Sequence, residues 1–313
     1  MNKILLFGSS GFLGSETSKL LSNRSYVIDA VDKSKPDYVL KNVNFIEKSI
    51  EAFLLSNNYN LEQYELIIDA ATILPFKNNS KNKMDSNIFS AKEIVKCKFN
   101  KNVNFIYVSS SGTYGKPSYV PIDNESPQIP LDLYGNSKLK AEKILLSCNK
   151  IKTLSIIRPK AILGTTRGGI FEIFFNLINK NIPLPLPNNG EQIMQFVDVT
   201  DVARLILYLA ENKLGGIWPA AAPNPISLKE YLNILELKIG KNIKKMNLNP
   251  TIFVYFGYLL VNLKLINFTK WHFGGYSYDS YFEENWKPEH FEYKYSSAET
   301  FLRTAKYYLE FKN

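Results

Sequence analysis

Lys3-Ile-Leu-Leu-Phe7 runs straight into Gly8-Ser-Ser-Gly11-Phe-Leu-Gly14. The first segment is continuously apolar, as a strand covered on both faces should be. Glycines at this spacing, between a strand and a helix, serve three needs: a tight turn, close backbone approach to a pyrophosphate, and close packing of helix on strand. The N-terminus of the following helix offers unpaired N–H groups and the positive end of its dipole to the phosphates. Ser10, Phe12 and Leu13 are read as contacts to that ligand together with Gly8, Gly11 and Gly14.

A second strand is predicted over Tyr26–Val31, and Asp32 follows it, 18 residues beyond Gly14. A carboxylate at this strand end accepts hydrogen bonds from both hydroxyls of an adenosine ribose and repels a 2′-phosphate, so the expected cofactor is NAD. Lys33 beside it keeps NADP open. Further strands are predicted at Asn44–Glu47, Leu66–Ala70, Asn104–Ser109 and Thr153–Arg158, alternating with helical stretches. That is the pattern of β-α-β units and a parallel sheet. Pro117, Pro121, Pro127 and Pro130 mark Tyr114–Pro130 as loop, and a helix is expected from Leu133 to Ser147.

Beyond Gly164, turn-rich segments surround one predicted helix, Ile170–Asn179. Gln192–Val199 reads as a strand leading into a helix from Thr200 to Glu211, whose start Asp198 and Asp201 fix, with Thr200 and Asp201 able to cap its backbone N–H groups, and Ile217–Ala220 reads as a short strand. Ser227 and Glu230 form a capping-box pattern. An apolar helix is expected around Ile252–Val261, followed by an aromatic-rich loop with His272, Gly274 and Gly275 and a last helix ending near Phe311. The expected fold is α/β, a Rossmann-type doubly wound parallel sheet with a smaller, mostly helical C-terminal cap for the substrate. Residues 1–165 and 193–225 are assigned to the sheet domain, and 166–192 and 226–313 to the cap.

Composition narrows the function. The net charge of +9 comes from 38 basic and 29 acidic residues, but lysine dominates the basic set, with five arginines. That composition argues against a nucleic-acid surface. Two cysteines and two histidines are too scattered for a structural metal site, so none is expected. No apolar run approaches the ~18 residues of a membrane span. No secretory signal is read, and a reducing, cytoplasmic setting is expected.

Tyr134 and Lys138 lie four residues apart and so share one helix face. A phenol titrating near 10 is a poor base at neutral pH, but an adjacent ammonium and an oxidised nicotinamide both favour the phenolate. Tyr308 and Lys312 repeat the spacing, so spacing alone decides little. The discriminating feature is Ser109-Ser110-Ser111-Gly112-Thr113-Tyr114-Gly115, which follows a predicted strand and therefore sits at the ligand-binding edge of the sheet. A hydroxyl there can bond the substrate oxygen whose proton Tyr134 exchanges.

The ordered set Gly8/Gly11/Gly14, Asp32, Asp69-Ala-Ala-Thr72, Asn87, Ser110, Tyr134/Lys138 and Phe196-Val-Asp-Val-Thr-Asp201 resembles the extended short-chain dehydrogenases, in particular the NAD-dependent sugar epimerase/dehydratase group. The resemblance implies that Tyr134 is the acid/base, that Lys138 holds the nicotinamide ribose and acidifies the phenol, and that Ser110 orients the reacting oxygen. It implies cofactor contacts from Ser49, Ala70, Ala71, Thr72, Asn87, Ser109 and Pro159, and substrate contacts from Thr72, Ser110, Ser111 and Arg167. It implies a small-molecule substrate, foremost a nucleotide sugar, and a homodimer.

Departures from the pattern sharpen this. The 4,6-dehydratases carry Asp-Glu where Ser111-Gly112 stand, which disfavours dehydration and leaves epimerisation or keto reduction. Arg158-Pro159-Lys160-Ala161 and Met194-Gln195 replace the stretches that clamp a nucleotide diphosphate. A dehydrogenase or reductase of a non-nucleotide ketone is therefore the alternative, and a non-catalytic dinucleotide-binding protein a third reading. His272 and His290 are read as packing or surface residues.

Overall fold

Seven strands lie parallel in one sheet of the computed structural model, which describes the chain except residues 1–2, 25, 37, 73–80, 166–169, 264–269 and 311–313. They are β1 (Lys3–Phe7), β2 (Val27–Asp32), β3 (Val43–Glu47), β4 (Leu66–Asp69), β5 (Asn104–Val108), β6 (Thr153–Pro159) and β7 (Gly216–Ala220). Their order is β7-β6-β5-β4-β1-β2-β3, with each neighbouring pair parallel. The chain moves outward from β1 to β3 and then returns to β4 on the other side of β1. This reversal opens a crevice at the carboxyl ends of β1 and β4, where ligands of doubly wound sheets bind.

The helices are α1 (Phe12–Ser22), α2 (Ile50–Ser56), α3 (Lys81–Ile94), α4 (Leu133–Leu146), α5 (Ile170–Asn179), α6 (Val199–Glu211), α7 (Leu228–Ile239), α8 (Pro250–Asn262), α9 (Lys270–Gly275) and α10 (Ser297–Leu309). Side chains of β1 alternate between two cores, as the period of a strand dictates. Ile4 and Leu6 pack with Leu13 and Leu21 of α1 and Val202 and Leu205 of α6. Leu5 and Phe7 pack with Phe53 of α2, Ile94 of α3 and Leu145 of α4. A third core joins Phe175 of α5, Phe196, Tyr231 of α7 and Phe301 of α10. Its rings interlock, with Phe196 and Phe301 stacked at 5.8 Å between centroids. Among the described residues, no helix is long and apolar enough to cross a membrane.

Sequence and structure part company in several places: Leu184–Pro187 pairs as a strand with Lys245–Leu248 where turns were expected, α9 is helical where an aromatic-rich loop was expected, and two further differences fall within residues 192–201. The single strand expected over Gln192–Val199 is two, Ile193–Met194 and Phe196–Asp198, because they pair with different partners. The first runs antiparallel to Ile226–Ser227, the second parallel to Ala161–Leu163. Gln195 at the break is buried, its amide donating to the Ala222 carbonyl at 2.9 Å and its oxygen accepting from Phe282 N at 2.7 Å. Second, α6 begins one residue earlier than expected; Asp198 fixes its start as read, as the cap that accepts from Thr200 N at 2.9 Å. Asp201 instead accepts from the backbone N–H groups of Lys294 and Tyr295 and pairs with Arg204. The capping box at Ser227 and Glu230 forms as read.

Candidate active site

The glycine loop is shaped by its own crowding. Gly8 has φ +76°, and a Cβ there would sit 2.6 Å from the Ala71 backbone at the end of β4. A Cβ on Gly14 would sit 1.9 Å from the Gly8 carbonyl oxygen. The loop thus lies flat across the switch point, and Gly11 caps α1 without a side-chain hydrogen bond of its own. This cradle fits a pyrophosphate at the α1 N-terminus. Asp32 closes it from β2: one carboxylate oxygen accepts from Ser10 N at 2.9 Å and the other from Lys33 N at 2.6 Å. Phe12 is half-buried, and Leu13 is buried in the first core.

Around the crevice the other expected cofactor residues take varied places. Ala70 N donates to the Phe7 carbonyl and Ala71 N to Asp69 Oδ1, which ties the end of β4 to β1. Ser49 caps α2, its oxygen accepting from Ala52 N at 3.1 Å. Thr72 is exposed at the end of the described stretch, Pro159 closes β6, and Arg167 lies outside the described residues.

Asp132 caps α4, accepting from Gly135 N at 2.9 Å, and so starts the helix at Leu133, one residue before Tyr134. Gly135 then allows the helix to press on the next turn of chain, since a Cβ there would stand 2.3 Å from the Gly112 carbonyl oxygen. That contact sets the Tyr134 end of α4 against the turn that begins at Ser110. Tyr134 is half-buried, and Lys138, one turn further, is buried. Lys138 Nζ donates to the Val108 carbonyl at 2.8 Å and lies 4.7 Å from the centre of the Tyr107 ring. Burial pulls its pKa down to about 8, while Asp69 and Glu142 hold the charge on. Asp69, buried in turn, is pushed above the usual carboxylate range by burial, with Lys138 opposing. Asn87 of α3 donates to Ser137 Oγ at 3.1 Å, and Ser137 donates to the Tyr134 carbonyl, so α3 braces the same turn of α4.

The structure separates the three serines. Ser109 donates to Glu142 and is held within the protein. Ser110 Oγ accepts from Gly112 N at 3.0 Å, and its O–H meets no acceptor among the described residues. Ser111 is buried in the wall of a cavity of about 110 Å³, lined also by Lys160, Phe171, Met194, His272 and Tyr276.

Two features escaped the sequence reading. Glu142 continues the Tyr134–Lys138 stripe by one further turn, a periodicity that could have revealed it. Arg158 meets Glu142 in a fork, Nη2–Oε2 at 2.6 Å and Nε–Oε1 at 3.1 Å, and donates to the Tyr114 hydroxyl at 2.5 Å. Arg158 therefore binds β6 to α4 and to the Ser110–Tyr114 turn. Lys160 is the second: a buried lysine in the cavity wall, for which the sequence carries no signal. His272 is buried in the same wall, and His290 is exposed.

Comparison with known proteins places this geometry among relatives. The NAD dependent epimerase/dehydratase family matches the chain over residues 4–219. A UDP-glucose 4-epimerase of Vibrio cholerae is 25% identical over 252 residues, covering 76% of this chain and 76% of its own. The solved structure of a Bacillus cereus UDP-glucuronic acid 4-epimerase with UDP-glucuronic acid and NAD superposes with a TM-score of 0.73 at 19% identity, covering 98% of this chain and 99% of that one. An NAD-dependent NDP-hexosamine 5,6-dehydratase of tunicamycin biosynthesis superposes at 0.72 with 18% identity, covering 99% and 98%.

Proposed function

Because the chain belongs to the NAD-dependent epimerase/dehydratase family, we propose that it moves a hydride at a hydroxyl- or keto-bearing carbon of a nucleotide sugar, as an epimerase or a keto reductase. One observation carries this reading: the face of α4 bearing Tyr134 and Lys138 is pressed by Gly135 onto the turn opened by Ser110, at the sheet edge that holds the glycine loop.

NAD, when bound, accepts and returns the hydride. This chain's own groups do the rest. Gly8, Gly11 and Gly14 admit the pyrophosphate, and Asp32 faces the adenosine ribose. Ser110 donates its O–H to the reacting oxygen and orients it. Tyr134 exchanges that oxygen's proton, and the Lys138 ammonium favours the phenolate and reaches the nicotinamide ribose. Ser111 and the cavity beside it take the remainder of the substrate. We assign residues 1–165 and 193–225 to the cofactor side and 166–192 and 226–313 to the substrate side. A homodimer through α3 and α4 is part of the proposal, supported by Phe89 and Leu146 exposed on those helices. So is a cytoplasmic location, supported by two unpaired cysteines, Cys97 and Cys148.

A specific observation favours a second reading, reduction of a non-nucleotide ketone: Met194, Phe171 and Phe174 make the cavity apolar where an arginine clamp for a diphosphate would be expected. Thermal-shift measurement of the NAD-loaded protein with UDP-, GDP- and dTDP-sugars separates the two. Stabilisation by at least one supports the nucleotide-sugar reading, and none by any of them rejects it.

A further inference from the structure

Lys160 sits just past β6, its backbone N–H bonded to the Ala220 carbonyl, with its side chain turned into the cavity wall. Its Nζ donates to Ser280 Oγ at 2.6 Å and lies 4.8 Å from the centre of the Phe282 ring. The residue is 7% exposed. A hydroxyl and a ring face do not neutralise a buried ammonium, and a buried charge without a counter-ion is costly. No carboxylate among the described residues perturbs it; burial alone draws its pKa down to about 7. The other titratable groups in this wall are His272, Tyr276 and Tyr278. Burial holds both phenols neutral, far above their ordinary pKa, so the wall supplies no negative charge.

We propose that Lys160 is the anion anchor of this cavity, its ammonium receiving a phosphoryl or carboxylate oxygen from the non-reacting end of the substrate. The charge is thus displaced from the Met194-Gln195 stretch to the end of β6. The proposal rests on the nucleotide-sugar reading only for the identity of that anion, a diphosphate. Inorganic pyrophosphate and UDP-glucose are the probes, titrated calorimetrically into NAD-loaded protein so that the glycine loop is already filled. Both are expected to bind wild type, with proton uptake at pH 8 as the neutral amine becomes charged. Lys160→Met is expected to weaken both at least about tenfold while melting at a higher temperature than wild type below pH 7. Equal binding of pyrophosphate by wild type and Lys160→Met, no binding by wild type, or binding without proton uptake overturns the anchor. Pyrophosphate binding through Lys160 with no nucleotide sugar bound sinks the substrate reading and leaves the anchor standing. Nucleotide sugars bound equally by both proteins do the reverse.

An independent observation concerns α8. Its inner face packs Gly257 and Phe253 on Phe273 of α9. On its outer side Ile252, Tyr255, Phe256, Leu259 and the following Leu263 are each more than half exposed. Their spacing of three, four, seven and eleven residues makes one continuous apolar stripe. From Leu237 to Tyr278 the sequence contains six lysines and no acidic residue. Lys245 is paired with Glu236 at 2.9 Å, and the other five lysines flank α8 in sequence; an apolar stripe flanked by basic residues is the chemistry of a helix lying in an anionic bilayer surface. We infer that α8 docks the protein on such a surface. Co-sedimentation of NAD-loaded protein with phosphatidylglycerol/phosphatidylcholine vesicles should be strong, weakened by salt, absent with phosphatidylcholine alone, and lost in Tyr255→Asp/Phe256→Asp. Failure to sediment, or equal sedimentation of the variant, rejects the inference. So does a dimer that this variant dissociates without any vesicle binding by wild type.

Discussion

Glu142 and Arg158 form a two-armed ion pair at the back of the candidate site, buried on both sides and joined by Ser109 and Tyr114. One arm comes from the helix that carries Tyr134 and Lys138, the other from β6, so the pair fixes the helix against the sheet. Removing one partner of such a pair leaves the other charge buried, at a cost of about 3–5 kcal/mol. Glu142→Ala is therefore expected to lose about that much stability in urea denaturation. Replacing both partners by apolar residues, Glu142→Leu with Arg158→Met, should recover most of it.

Lys138 carries the pH dependence. Burial draws its pKa down to about 8. Above that pH the ammonium one helical turn along α4 from Tyr134 is lost, so on the proposed mechanism kcat/KM should fall on the alkaline side near pH 8. Lys138→Met should be slow and lack that limb. In the unfolded chain a lysine holds its proton to about pH 10.4. Between these values the unfolded state binds more protons, so this group's contribution to stability rises with pH. Denaturation of wild type and Lys138→Met from pH 7 to 10 should show the wild type gaining relative to the variant.

Gly14→Ala should fail sterically, because its Cβ would enter the space of the Gly8 carbonyl. Overpacking of this kind costs about 1–3 kcal/mol, and here it also displaces the loop. The expected result is lowered stability by thermal denaturation together with weakened NAD binding by fluorescence titration.

Asp32→Ala should lose the carboxylate that a 2′-phosphate would meet. The ratio of NADP to NAD dissociation constants is expected to fall about tenfold or more. Equilibrium titration with both cofactors measures it, and an unchanged ratio would remove Asp32 from cofactor selection.

These relationships show what a linear sequence discloses. The sheet and glycine loop were legible because their signals are local: an apolar run, three glycines, a helix start. Tyr134 and Lys138 were legible because one helix face joins them. Glu142 and Arg158 were not, since their meeting depends on the packing of α4 against β6. The burial of Lys160 was hidden for another reason: lysine is common along this chain, and nothing local distinguishes a buried one. Gln195 looked like the middle of a strand because alternation cannot show that its two sides pair with different partners.

The central claim is that the Tyr134 phenol exchanges the substrate's proton. Tyr134→Phe tests it most directly, with turnover of an accepted substrate and NAD affinity measured on the same preparation. The account predicts that kcat/KM falls by about a hundredfold to ten-thousandfold while NAD affinity and melting temperature stay near wild type. Turnover within a few-fold of wild type would contradict it.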